Sequence, residues 1–256
     1  GWHNSGIIWS LVGLYLDMLK SPLIVFDSGI GGFAILKEVL NVDVPILYYA
    51  DQAHFPYGDK SLDYLNNRFV ELAKVFKSMH PLALVVACNS GTVTALPYLR
   101  SQLSVPVFGV EPVTKMLKDH MNPVVWGTKV TTNSDVAKEL RLTHGEHIKY
   151  YTPVGLASAI EHDDTNKIMS ILDSAKEELN QIDAIGLSCT HYPLIKDMIQ
   201  DYFPNIPIYD PSKAVANHVA RSLKLSAREA TKPSLVEYNS SASVLRLQEL
   251  AKRFGL

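Results

Sequence analysis

An α/β fold of two similar parallel-sheet domains, with the active site in the cleft between them, is what this 256-residue sequence predicts. Three observations lead there. From Leu23 onward, short apolar stretches alternate with amphipathic ones. The apolar stretches, Leu82–Ala87 (LALVVA) above all, are continuous, as strands covered on both faces must be. The scheme also occurs twice, and in each half an apolar strand runs into a cysteine, Cys88 and then Cys189.

Taken in order, Leu23–Phe26 is a strand that meets a glycine-rich turn, Asp27-Ser28-Gly29-Ile30-Gly31-Gly32, before a helix to about Leu40. Ile46–Ala50 is the second strand. Leu62, Leu65, Phe69, Leu72, Phe76 and Met79 recur at three- and four-residue steps, which makes 61–79 a helix with one buried face, ended by Pro81. Leu82–Ala87 is the third strand, followed by a helix to about Arg100 and a strand at Val105–Val110. The second half reads as strand Val124–Gly127, helix Ser134–Leu142, strand Ile148–Tyr151, helix Thr165–Leu179 and strand Asp183–Leu187. Pro193 suits the first turn of the next helix. Strand Ile206–Tyr209, helix Pro211–Leu223, a strand near Leu235–Tyr238 and a helix near Val244–Arg253 complete the chain. The expected domains are 21–112 with 211–256, carrying Cys88, and 113–210, carrying Cys189. Residues 1–20 form an N-terminal extension expected to pack on the body.

Composition narrows the function. Hydrophobic residues at 47%, charged residues at 20% and a net charge of −2 describe an ordinary globular protein. No run of Lys or Arg provides a nucleic-acid surface, so no nucleic-acid partner is expected. The apolar segment Ile7–Leu19 lacks a basic leader, is broken by Asp17, and is shorter than the roughly 20 residues of a membrane span. No membrane contact is expected. Two cysteines this far apart make neither a disulfide framework nor a C-x-x-C zinc site. They fit a reducing, cytoplasmic setting.

In open parallel sheets ligands bind beyond the carboxyl ends of the strands. That rule selects Asp27-Ser28, Cys88-Asn89 and Cys189-Thr190-His191. A cysteine ending a buried strand is ordinarily an inert small hydrophobe. Here Asn89, Ser90, Gly91 and Thr92 follow Cys88 and bring hydroxyls, an amide and backbone N–H groups to a helix start. Such a start binds carboxylates and should lower the thiol pKa. His191, two residues past Cys189, is placed as a proton partner. Asp27 could cap the following helix or position a substrate ammonium. The glycines at 29, 31 and 32 match neither dinucleotide nor phosphate-loop patterns, so no nucleotide cofactor is expected. Tyr57, between Pro56 and Gly58, is placed to hydrogen-bond a ligand. Asp51 and His54 have no characteristic metal spacing, and no metal is expected.

The segments IVFDSGIGG, FPYGDKS, VVACNSGT, VFGVEP and IGLSCTHYPLI, in this order and at these separations, closely resemble the glutamate racemase family of the aspartate/glutamate racemase superfamily. The likeness runs from about Leu23 to about Val215. It implies that Asp27, Ser28, Tyr57 and Gly58 contact substrate, and that Cys88 and Cys189 are the acid–base pair, with Asn89, Ser90, Thr190 and His191 beside them. By the same resemblance Thr128 belongs to a Gly-Thr segment. Glu161 stands where the family's C-P-x-x-x-P-x-V-E pattern has its glutamate, although Thr152 replaces the cysteine and Ala157 the second proline. Ser90-Gly91 replace the usual Thr-Ala. The resemblance further implies no pyridoxal phosphate or other cofactor, a homodimer, and D-glutamate supplied to peptidoglycan. Three other readings remain open at this point: an aspartate-type racemase, a hydrolase using Cys88 as nucleophile with His191 as base, and a catalytically inactive amino-acid-binding protein.

Racemisation removes an α-proton from one face and returns one to the other. Two groups on opposite faces do this without moving the substrate. One thiol and one thiolate, exchanging roles with direction, satisfy that need; the family assigns Cys88 to the D- and Cys189 to the L-enantiomer.

Overall fold

The computed structural model describes residues 21–229 and 235–256; the expected extension 1–20 lies outside them. Among the described residues there are two sheets, both wholly parallel. The first consists of β1 (Leu23–Asp27), β2 (Ile46–Ala50), β3 (Ala83–Val86), β4 (Val107–Gly109) and β9 (Val236–Ser240), in the order β4-β3-β1-β2-β9. The second consists of β5 (Pro123–Gly127), β6 (Lys149–Tyr151), β7 (Ala184–Ser188) and β8 (Ile208–Tyr209), in the order β6-β5-β7-β8. β9 therefore returns from the far side of the second sheet to cover the outer edge of β2.

Period-two alternation decides which side chain faces which helices. Leu23, Val25, Tyr48 and Val85 turn to one side of the first sheet, where α1 (Phe33–Val39), α9 (Ser212–Ser222) and α10 (Val244–Arg253) cover them. Ile24, Phe26, Leu47 and Val86 turn to the other, under α2 (Leu62–Ser78) and α3 (Asn89–Gln102). Phe26 there meets Phe76 edge-on at 5.1 Å. Because both faces are covered, all five residues of β1 are buried, and the continuous apolar pattern follows. In the second sheet, Val124, Trp126, Ile185 and Leu187 pack under α6 (Leu156–Glu161), α7 (Thr165–Glu178) and α8 (Lys196–Tyr202). Its opposite face is closed by a short 3₁₀ turn, Val113–Leu117.

Helix starts follow local chemistry. Ser61, Ser134, Asp164 and Ser243 each accept from the N–H three residues on, capping α2, α5 (Asp135–His144), α7 and α10. Three expectations need correction. Leu62 does not join the buried face of α2; it lies in the first turn, 59% exposed, while Leu65, Phe69, Leu72 and Phe76 are buried. Pro193 sits in a 3₁₀ turn, Tyr192–Ile195, and the regular helix begins only at Lys196. Two short helices, α4 (Lys129–Thr132) and α6, were not expected at all. Among the described residues no helix is long and apolar enough to cross a membrane.

Candidate active site

The carboxyl ends of strands from both sheets face a common cavity of about 250 Å³. Ser28 follows β1, Tyr57 and Gly58 occupy the turn after β2, and Cys88, Asn89 and Ser90 bridge β3 and α3. From the second sheet come Thr128 after β5 and Cys189, Thr190 and His191 after β7. Ten of the twelve residues singled out from sequence thus line one cavity. The other two, Asp27 and Glu161, stand behind its wall at 0% and 5% exposure.

Each thiol is held by its own strand end. Cys88 caps α3: its Sγ accepts from the Gly91 N–H at 3.4 Å and lies 3.9 Å from Ser28 Oγ. The first N–H groups of α3, those of Asn89 and Ser90, sit where a helix has no internal acceptor for them. Asn89 Nδ2 donates to the Val110 carbonyl at 2.9 Å, and its buried Oδ1 has no protein partner among the described residues. Ser90 and Thr128 hydroxyls meet at 2.8 Å across the two sheets.

A second set of bonds crosses the cleft behind the thiols. Thr190 Oγ1 donates to Asp27 Oδ2 at 2.8 Å, and the Gly29 N–H donates to Asp27 Oδ1 at 2.7 Å. Glu161 Oε2 accepts from the Ile30 N–H and pairs with His191 Nε2, each at 2.8 Å. Glu161 Oε1 accepts from Gln52 Nε2 at 2.9 Å.

The charge states follow from these contacts. Burial pushes the Asp27 carboxyl up to about 6, against the opposing pull of His191 and of its two hydrogen bonds. Burial would also raise Glu161, but the His191 bond and charge, the Ile30 N–H and Gln52 outweigh it and hold Glu161 below its ordinary value. Burial disfavours a charged His191, yet Cys189 and Glu161 beside it win, and its pKa lies well above the usual imidazole value. The expected lowering of the first thiol is not found. Burial raises Cys88, the Asp27 charge raises it further, and the Gly91 N–H and Ser28 hydroxyl do not compensate. Cys88 is therefore a thiol next to a titrating carboxylate. After Cys189 a 3₁₀ turn follows in place of a regular helix, and the His191–Glu161 pair stands beside the sulfur.

The Tyr57 hydroxyl is committed to the protein: it donates to Asp51 Oδ2 at 2.5 Å, and Arg68 grips Asp51 through Nε at 2.9 Å and a terminal nitrogen at 2.7 Å. His54 Nδ1 meets the Tyr64 hydroxyl at 2.6 Å. Asp51 and His54 thus make separate hydrogen bonds, one with Tyr57 and Arg68 and the other with Tyr64. Sequence reasoning did not find Gln52 or Arg68. It also left out Lys129, on the exposed rim, and the Pro153–Gly155 loop after β6.

A model of the Asp/Glu/Hydantoin racemase family matches residues 42–219. A glutamate racemase of Ralstonia nicotianae is 33% identical over 246 residues, which is 90% of this chain and 88% of its own. The chain belongs to the Asp/Glu/Hydantoin racemase family. Two solved structures agree with the fold. The glutamate racemase of Campylobacter jejuni superposes with a TM-score of 0.80 at 25% identity, over 91% of this chain and 98% of that one. That of Francisella tularensis, in complex with D-glutamate, gives 0.76 at 25% identity over 92% and 93%.

In this racemase-family chain the glycine run has a packing purpose. A Cβ on Gly29 would overlap the Glu161 carboxylate, and one on Gly31 would meet Thr190 Oγ1 at 2.6 Å and crowd His191. The turn is bare so that acid, imidazole and hydroxyl from the other sheet can reach it. Gly29→Ala is therefore expected to cost about 1–3 kcal/mol as an overpacked contact. Thermal denaturation followed by circular dichroism measures this, and an unchanged Tm would contradict the contact.

Proposed function

We propose that this chain interconverts L- and D-glutamate with Cys88 and Cys189 as the two acid–base groups and no cofactor. The observation that carries the reading is that both sulfurs border one small cavity, each from a different sheet. Glutamate is the substrate most consistent with the chain's likeness to glutamate racemases along nearly its whole length.

For L-glutamate, Cys189 takes the α-proton, and the Cys88 thiol delivers one to the opposite face. In the reverse direction Asp27 accepts the Cys88 proton and His191 keeps the Cys189 side supplied. Developing negative charge on the substrate carboxylate is met by the N–H groups at the start of α3 and by the Ser90 and Thr128 hydroxyls. Asn89 Oδ1, an acceptor in need of a donor, suits an ammonium group. The bodies 21–112 with 211–256, and 113–210, close over the substrate and shed water. A cytoplasmic homodimer that supplies D-glutamate to peptidoglycan is the setting we assign.

The test is proton NMR of L-glutamate in D2O with circular dichroism of the same sample. Loss of optical activity with deuterium at Cα is expected for glutamate, and little for aspartate. No exchange, or faster loss with aspartate, would overturn the assignment.

The Asp27 shift gives a pH dependence with a definite sign. A carboxyl raised from 3.8 to about 6 loses its charge as pH falls through about 6. Then it can no longer receive the Cys88 proton. The kcat/KM is expected to drop by about tenfold per pH unit below about 6. The drop must be equal in both directions, because mirror-image substrates have an equilibrium constant of unity. Asp27→Asn should lower kcat and abolish this limb; a limb unchanged in that variant would remove Asp27 from the mechanism.

A further inference from the structure

Gln52 was not singled out by any motif, yet it occupies a decisive place. It lies in the first turn after β2, half-buried, and its amide faces two ways. Nε2 donates to Glu161 Oε1 at 2.9 Å, and Oε1 accepts from Ser240 Oγ, at the end of β9, at 3.0 Å. These partners fix the amide orientation, since the reverse would set its oxygen against a carboxylate. A continuous row results: Ser240, Gln52, Glu161, His191, with Cys189 beside the imidazole. The Gln52–Glu161 bond also joins segments 109 residues apart, the turn after β2 and the end of α6.

We propose that Gln52 is a positioning residue that holds the Glu161–His191 pair in the arrangement Cys189 requires. The proposal rests on the two-thiol racemase reading. Glu161 has donors on both oxygens: Ile30 and His191 on one, Gln52 on the other. Removing the Gln52 donor leaves Oε1 of a nearly buried carboxylate without its side-chain partner, which weakens the ionised form and with it the His191 cation. Gln52 does not line the cavity that holds the sulfurs, so its effect should fall on kcat.

Other charges around the pair must be held constant in the test. Asp27, Cys189 and Tyr48 interact electrostatically with the pair. His162, Asp163, Arg246, Glu249 and Arg253 border a second small cavity together with Glu161. None of them is altered by a change at Gln52.

Gln52→Met and Gln52→Glu in the full chain make the test. With Gln52→Met, kcat is expected to fall about tenfold while KM stays within about threefold, the mark of an interaction that matters in the transition state. With Gln52→Glu, the introduced carboxyl donates to Glu161 only while protonated. Activity should then approach wild type at low pH and fall as that group ionises, because two adjacent carboxylates repel. A purely structural residue would give equal losses at every pH with a lowered Tm, and that outcome overturns the proposal. So does a Gln52→Met enzyme with wild-type kcat. A readout independent of turnover is the 15N titration of His191, whose midpoint should fall by about 1 pH unit in Gln52→Met. If it does not move, Gln52 does not act on the pair. If it moves but the wild type shows no α-exchange, the racemase reading fails and the positioning role stands.

Discussion

Cys88→Ser is expected to abolish interconversion of the glutamate enantiomers, by roughly 10³-fold or more, and Cys189→Ser to do the same. A serine hydroxyl fills the place of the sulfur but is far too weak an acid and base to exchange a proton with Cα. Both cysteines are 5% exposed and each stands in a polar strand end, so the exchange should leave the fold intact. The two variants should nonetheless differ. With Cys88→Ser the base on the other face remains, and slow α-deuteration of L-glutamate without inversion is expected. With Cys189→Ser the residual exchange should be confined to D-glutamate. NMR in D2O with each pure enantiomer measures both. A variant that keeps more than about a tenth of wild-type turnover would show that one thiol is dispensable, as a cysteine hydrolase requires, and would end the two-thiol mechanism.

The second large effect concerns Glu161. Gln52, His191 and the Ile30 N–H all donate to it, and an amide has a single acceptor oxygen. Glu161→Gln must therefore turn an NH2 against at least one donor. It also leaves His191, 3% exposed, without its counter-charge. Breaking such a buried pair costs about 3–5 kcal/mol, and kcat should fall by roughly 10²-fold. The pH dependence of stability follows. Glu161 is lowered from 4.5, so its contribution is present above about 4.5 and is lost as pH falls through the folded value. His191 is raised from 6.5, so its contribution is present below 6.5 and is lost as pH rises through the elevated value. The stability gap between wild type and Glu161→Gln should be widest between about 4.5 and 6.5. Urea denaturation at a series of pH values measures it, and a gap independent of pH would mean that the pair is not ionised.

Much of the fold was legible because parallel strands buried on both faces leave an unbroken apolar signal. Leu23–Asp27, Ile46–Ala50 and Ala184–Ser188 could hardly be anything else. The strand-end rule then led to the cavity, since chemistry-bearing residues in a βα turn have no packing reason to be there. What stayed hidden has equally physical causes. The 3₁₀ turns and the helices of four and six residues are too short to establish a period. Arg68 reads as one more charge on an amphipathic helix, and nothing in its spacing tells that its fork closes on Asp51. Gln52 acquires meaning only through partners more than a hundred residues away, Glu161 and Ser240. The thiol expectation failed for a related reason. A helix start beside Cys88 was visible in the sequence, but its burial and the Asp27 charge at the end of the neighbouring strand β1 arise only once the strands are paired and covered.

The placement of β9 bears on how this molecule is made. The strands of the second sheet, from Pro123 to Tyr209, leave the ribosome as one uninterrupted stretch and can assemble at once. The older sheet cannot. Its β2 margin waits, with unsatisfied amides and carbonyls, until residues 236–240 emerge and seal it. The nascent protein thus holds all strands of its younger lobe while the first still has an open flank, an unpaired edge that another chain can join.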